Sequence, residues 1–234
     1  MEGDLTKLAS GFTSANGPVF SRIGYLLFSD GNTIHKWQDG AVTVFRDAPN
    51  SAAGLTFDHQ GRLLVCERDR LTRDGKTMAK GHGPLDVVYA IDGNIYFCDG
   101  KAVHRVGRDG RLVPATSDVT APRAVALAPK QQKLYVTGSN TQVFAIHADG
   151  SLDKGQAFAD VKGAGLKTDE SGRVWIATPA GIQVIAANGS PVKTIALPEE
   201  PTNLNWGAGF RNLIVTSRTS VYRIEARTNG TRTY

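Results

Sequence analysis

Six of the ten Asp-Gly or Asn-Gly dipeptides in the chain recur at nearly constant spacing, with their glycines at Gly40, Gly75, Gly110, Gly150, Gly189 and Gly230, at intervals of 35, 35, 40, 39 and 41 residues. Such pairs suit tight hairpin turns, because both central residues visit positive φ, where Gly carries no penalty and Asp or Asn little. A nearly fixed period of this length marks a repeat architecture, in which each unit buries its apolar face against its neighbours.

Two further registers align on that turn. An apolar strand ending in a small or acidic residue occurs at 26–30 (LLFSD), 63–67 (LLVCE), 95–99 (IYFCD), 134–138 (LYVTG), 174–178 (VWIAT) and 213–217 (LIVTS). A shorter strand precedes each, at 17–20, 54–57, 86–89, 124–127, 165–168 and 204–207, and polar turns such as DHQG (58–61) and DESG (169–172) join the two. A third strand leads into the Asp-Gly turn and a fourth leaves it. The pattern predicts an all-β chain, a six-bladed β-propeller with four-stranded blades forming a single domain over residues 1–234. Residues 4–11 read as a fourth strand without its first three, whereas 203–226 supply three strands and little afterwards. The N-terminal strand is therefore expected to close the last blade, removing the edge that an open array exposes.

At 41% hydrophobic over 234 residues the chain can bury an ample core. No apolar stretch approaches the roughly 18 residues of a spanning helix, and the start, MEGDLTKLASGF, lacks an apolar secretory core. A membrane partner is not expected, and the chain is either cytoplasmic or exported with its signal peptide absent. Cys66 and Cys98 fall at equivalent second-strand positions of adjacent blades, too far apart for an unstrained disulfide, and read as reduced packing residues. The net charge of +5 comes from 27 basic and 22 acidic residues. Nucleic-acid binding needs a basic cluster rather than a total; the run Arg68, Arg70, Arg73 and Lys76 is interleaved with Glu67, Asp69 and Asp74. No nucleic-acid partner is expected, and the chain is expected to be a monomer.

The phrases GPVF, LLFSDG, GLTFDHQGRLLVCE, LDVVYAIDGNIYFCD, AVALAPKQQKLYV, GLKTDESGRVWIA and PTNLNW, in this order, resemble the senescence-marker-protein, gluconolactonase and luciferin-regenerating-enzyme-like family over essentially the whole chain. That family's six-bladed propeller agrees with the turn count. The resemblance implies an axial site at which a divalent cation polarises a sugar lactone or similar ester and activates water.

The residue immediately ahead of, or opening, the first strand of each blade points toward the axis at one end, and by register these residues are Asn16, Ala53, Leu85, Arg123, Ala164 and Asn203. The resemblance places four metal ligands among them: a Glu at position 16, Asn at 85 and 123, and an Asp with the general-base role at 164. This chain has Asn16, Leu85, Arg123 and Ala164 instead. Of these only Asn16 offers an oxygen, whereas calcium or magnesium takes about six or more, carboxylates among them. A guanidinium roughly 4 Å from a divalent ion, at an effective dielectric near 20, repels it by about 8 kcal/mol. No metal and no other cofactor is expected. Arg123 either offers planar, bidentate recognition of a carboxylate or phosphate, or pairs with Asp86 across the channel mouth. The candidate binding residues are Asn16, Asp86, Arg123 and Asn203, the expected partner is a small polar or anionic ligand, and no catalytic residue is assigned.

Short loops at 31–33, 68–70, 79–84 and 100–102 predict a shallow, open and wet mouth, which weakens electrostatic catalysis. The five histidines, His35, His59, His82, His104 and His147, lack metal spacing, and only His82 falls near the mouth. Asp30, Glu67 and Asp99 close equivalent strands, where pairing with Arg68, Arg70 or Lys101 is the simpler role. Trp37, Trp175 and Trp206 read as packing between blades, with Trp206 close enough to Asn203 to stay a candidate. The leading function is axial small-molecule binding without metal and with little or no lactone hydrolysis. A non-catalytic scaffold for protein or peptide is the alternative, and a lactone or ester hydrolase with a rebuilt site is a third reading, since fold alone licenses none of them.

Overall fold

In the computed structural model, which describes residues 4–232, the hairpin chemistry of the repeat produces 24 strands in six antiparallel four-stranded sheets. Residues 1–3 and 233–234 of the predicted span lie outside the described residues. After β1 (Leu5–Ser10), blade one comprises β2 (Ala15–Phe20), β3 (Leu26–Asp30), β4 (Thr33–Gln38) and β5 (Ala41–Asp47). Blade two is β6 (Ala52–Phe57), β7 (Leu63–Glu67), β8 (Arg70–Arg73) and β9 (Lys76–Lys80). Blade three is β10 (Asp86–Tyr89), β11 (Ile95–Cys98), β12 (Val103–Val106) and β13 (Leu112–Thr116). Blade four is β14 (Ala124–Leu127), β15 (Lys133–Thr137), β16 (Thr141–Ala145) and β17 (Gln156–Ala159). Blade five is β18 (Gly165–Thr168), β19 (Val174–Thr178), β20 (Gly181–Ile185) and β21 (Pro191–Ile195). Blade six takes β22 (Pro201–Trp206), β23 (Asn212–Ser217) and β24 (Ser220–Glu225) from the C-terminal end, and β1 as its outer strand. The ring closes as expected, with Leu5 opposite Ile224 and Ser10 opposite Ser220.

The core is distributed over the seams between blades. Val88, Tyr96, Leu134 and Phe144 fill one seam, Trp175, Leu204, Trp206 and Tyr222 another, and four further clusters occupy the rest. Each large side chain removed from water in this way contributes roughly 1.5–3 kcal/mol. Trp175 and Trp206 meet edge to face at 5.4 Å across the seam of blades five and six, the packing role read from their strand positions. Cys66 and Cys98 are both buried and free.

The repeated dipeptide is not one turn but three kinds. In blades one and two both residues are left-handed, with Asp39 at φ 50 and Asp74 at φ 47 ahead of Gly40 and Gly75. In blades three to five only the glycine has positive φ. There the side chains of Asp109, Asp149 and Asn188 accept the backbone N–H two residues on, from Arg111, Ser151 and Ser190. The sixth glycine corrects the expectation. Gly230 follows β24 in no hairpin; it bridges Asp169 of blade five, and a Cβ there would come within 2.0 Å of the Trp206 ring. Its lack of a side chain, not its φ, suits it to the position.

Candidate functional site

The first strands β2, β6, β10, β14, β18 and β22 touch one another in order around the axis and close from β22 back to β2. The residues at or just ahead of their starts, Asn16, Ala53, Leu85, Arg123, Ala164 and Asn203, meet at one mouth, where they line a cavity of about 740 Å³. The register argument therefore places these six side chains together. The opposite ends of the same strands enclose only about 20 Å³, beside Thr56, Lys167 and Trp206. Trp206 thus belongs to the far end, its indole N–H donating to the Thr168 carbonyl at 2.7 Å, and not to the mouth near Asn203.

Much of the wall was not singled out from the sequence. Thr13 and Ser14 come from the segment between β1 and β2, Glu199 and Glu200 from the approach to β22, and Arg218 from the turn between β23 and β24. Arg218 occupies the blade-six counterpart of the loops at 31–33 and 68–70, so the same register extended to the last blade would have found it. The ring has one cation, as expected, but the whole wall carries two arginines and two glutamates.

Two carboxylates hold this wall in place. Asp30 accepts the backbone N–H groups of Thr13 and Ser14 at 3.1 and 2.7 Å, and both hydroxyls as well. Burial pushes its carboxyl up, but those hydrogen bonds outweigh it and leave it below the usual range. Asp30 is thus a positioning residue for the mouth rather than a partner of a basic side chain. Glu199 accepts from the hydroxyls of Thr219, Ser220 and Tyr222 at 2.6, 2.5 and 2.7 Å. Burial again acts upward, and the three hydroxyls bring the carboxyl down to about 2 from 4.5. A depressed carboxyl contributes stability that is present above its unfolded value and lost as pH falls through its folded one. Glu199→Gln is therefore expected to be less stable than the native chain at pH 7 and to converge with it as pH falls from about 4.5 towards 2. Urea melts at several pH values check this, and an equal deficit at all of them would exclude the linkage.

Arg123 is exposed at the mouth, and among the described residues its guanidinium makes no ion pair or side-chain hydrogen bond. The predicted alternative, a pair with Asp86, does not form. Asp86 does not line the mouth at all; it is 2% exposed and lies deeper in the channel. It occupies the space left by Gly54, where a Cβ would sit 2.8 Å from Asp86 Oδ1. The carboxylate accepts the Val125 N–H at 3.1 Å and faces Asn203 Nδ2 at 3.5 Å, linking blade three to blades four and six. Burial raises its carboxyl above the ordinary range against the opposing pull of Lys167. Asp86 therefore ties three blades together at the axis and does not line the cavity.

The polar atoms of the two asparagines are largely engaged. Asn16 Oδ1 accepts the Gly17 N–H at 2.7 Å, and Asn203 Oδ1 accepts that of Leu204 at 2.8 Å. His82 was the one histidine near enough to the mouth to be a candidate. It lies outside the axial cavity and approaches Asp99 at 3.1 Å, and His104 approaches the same carboxylate oxygen at 2.8 Å. Asp99 thus takes histidines rather than the Lys101 side chain, while Glu67 does meet Arg70, at 3.6 Å.

Comparison with known proteins adds to this geometry. The chain is 24% identical to a gluconolactonase of Zymomonas mobilis subsp. mobilis over an alignment 292 positions long, covering 95% of this chain and 81% of that protein. A solved gluconolactonase from Xanthomonas campestris superposes with a TM-score of 0.88 at 25% identity, covering 94% of this chain and 89% of the other. A second solved structure, of a protein described as a putative gluconolactonase, gives a TM-score of 0.90 at 25% identity over 98% of this chain and 94% of its own. Residues 14–219 match the SMP-30/Gluconolactonase/LRE-like region, a span running from the mouth segment ahead of β2 to the last turn of blade six, and the chain belongs to that family.

Proposed function

We propose that this propeller binds a small polar or anionic molecule in its axial cavity, without a divalent metal at the ring and with little or no lactone hydrolysis. The observation that carries this reading is Arg123, an exposed guanidinium without a carboxylate partner among the described residues, set in the ring of a 740 Å³ cavity. Its planar fork matches a carboxylate or phosphate, and Arg218 adds a second cation on the same wall. The hydroxyl oxygens of Thr13 and Ser14, whose protons go to Asp30, can still accept from a ligand that bears hydroxyl groups. A sugar acid combines both features, and it is what hydrolysis of a sugar lactone yields.

The ring does not fit the ion that the family resemblance implies. Ala53, Leu85 and Ala164 offer no donor, the two amide oxygens already accept backbone N–H groups, and Arg123 is a cation. Ala164 supplies no carboxylate where the resemblance puts the general base. Glu199 is held by three hydroxyl donors, which leaves it a weak base.

Thermal-shift screening of sugar acids, sugar phosphates and neutral sugars, on the native chain and on Arg123→Ala, tests the reading. An anion is expected to stabilise the native protein, and its affinity to fall roughly 10- to 100-fold in the variant, the range of a charged hydrogen bond. Stabilisation of both proteins alike, or of neither, would make Arg123 structural and favour the protein-binding scaffold. Lactone turnover well above the uncatalysed rate would favour the hydrolase with a rebuilt site.

A further inference from the structure

His82, Asp99 and His104 are the one group of three metal-capable side chains that converges among the described residues, with their ligand atoms within 4.8 Å of one another. They come from the turn before β10, the residue after β11 and the second position of β12. His82 Nδ1 and His104 Nε2 both address Asp99 Oδ2, at 3.1 and 2.8 Å. The other carboxylate oxygen accepts the N–H groups of Lys101 and Ala102, each at 2.9 Å, which locks the carboxylate in place. Phe97 stacks on the His104 ring at 5.0 Å and meets the His82 ring edge-on at 6.0 Å. The Asp99 and His104 side chains are 10% and 9% exposed, while His82 keeps 28%, so the group is walled on one side and open to water on the other.

We propose that this group is a zinc-class transition-metal site, with His82 Nδ1, Asp99 Oδ2 and His104 Nε2 as ligands and water at the fourth position. Two imidazoles and one carboxylate form a donor set suited to zinc and its neighbours and not to calcium or magnesium, which take oxygens. A tetrahedral ion with bonds of roughly 2.0–2.1 Å holds adjacent ligand atoms about 3.3 Å apart. The nitrogens already lie close to that separation from the shared oxygen, so the ion replaces the bridging protons with small ring movements. The hydrogen bonds from Lys101 and Ala102 are the outer support that such a carboxylate ligand needs. The site is separate from the axial ring but adjoins it: a Cβ on Gly100 would lie 3.5 Å from Leu85 Cδ1, whose residue lines the mouth.

The test is a titration of chelator-treated full-length protein with zinc against a chromophoric competitor, paired with cobalt substitution read by its visible absorption. One zinc per chain and a cobalt spectrum of low coordination number are expected. His82→Ala, at the most exposed of the three ligands, is expected to weaken zinc by more than roughly 100-fold, beyond the loss from removing an outer support alone. His104→Gln is expected to do the same, and Glu200→Gln to leave zinc affinity unchanged. Absence of stoichiometric uptake, native-like affinity in His82→Ala, or loss of uptake in Glu200→Gln, which would put the ion at the axial mouth, overturns the proposal.

Discussion

Deletion of residues 1–11 is expected to lower the melting temperature by roughly 10 °C or more and to cause aggregation on heating. The segment supplies β1, whose removal strips β24 of its ladder from Leu5–Ile224 to Ser10–Ser220. It also removes Leu8, which packs with Phe12 against the core of the seam between blades six and one. The hydrogen bond from Gly11 to the Thr219 carbonyl goes with it, loosening Phe12, which packs edge to face on Phe28 at 4.8 Å. Loss of one apolar side chain from a seam costs about 1.5–3 kcal/mol, and the lost strand pairing adds to it. For a chain of this size each kcal/mol shifts the melting temperature by roughly 2–4 °C. The uncovered β24 edge is then free to pair with another molecule. Scanning calorimetry with light scattering measures both effects, and a peptide of residues 1–12 added in trans is expected to restore part of the loss. A truncated protein melting like the full chain would show that β1 is dispensable to closure.

Asp169→Ala is expected to destabilise the protein by about 3–5 kcal/mol, the cost of breaking a buried, hydrogen-bonded charge. Asp169 is fully buried and accepts four hydrogen bonds. These come from the N–H groups of Ser171 and Arg173, the Arg173 guanidinium at 2.7 Å and the Trp175 indole at 2.9 Å. Removing the carboxylate leaves the indole N–H of Trp175, itself 0% exposed, without its partner, and leaves Arg173 without its ion pair. Asp169→Asn keeps an acceptor for the turn N–H groups and is expected to cost less. Asp58 performs the same role in blade two, accepting Gln60 N–H, Arg62 N–H and the Arg62 guanidinium, so Asp58→Ala provides an independent replicate. Urea unfolding followed by tryptophan fluorescence reads the change, and a loss below about 1 kcal/mol would refute the role of the carboxylate.

The strands at 26–30, 63–67 and 174–178 coincide with β3, β7 and β19 to the residue. They were legible because strand formation here rests on local properties: alternating faces, an apolar run and a turn whose φ values select Gly, Asp or Asn. The six axial residues were legible for a related reason. In a repeat protein one register corresponds to one place in space, so six sequence positions converge without any knowledge of their contacts. Gly230 marks the limit of that argument, since the same dipeptide at nearly the same interval serves a bridge to Asp169 and close packing on Trp206 instead of a hairpin.

Side-chain partners were a different matter. A pair with Arg123 was one of two arrangements open to Asp86, but the space left by Gly54 and the N–H of Val125 draw it into the channel. Asp99 was read as a partner of Lys101, yet His82 and His104 reach it from two other elements. Glu199 enters the mouth only because the ring closes and brings blade six beside the segment at Thr13 and Ser14. The sequence by itself determined the blade count, the closing strand and the ring of six axial positions, all consequences of short-range geometry repeated along the chain. The tertiary structure alone decided which side chains meet across blades and elements, because such a side chain settles where space and hydrogen-bond donors from distant strands coincide, and neither is written in its neighbours.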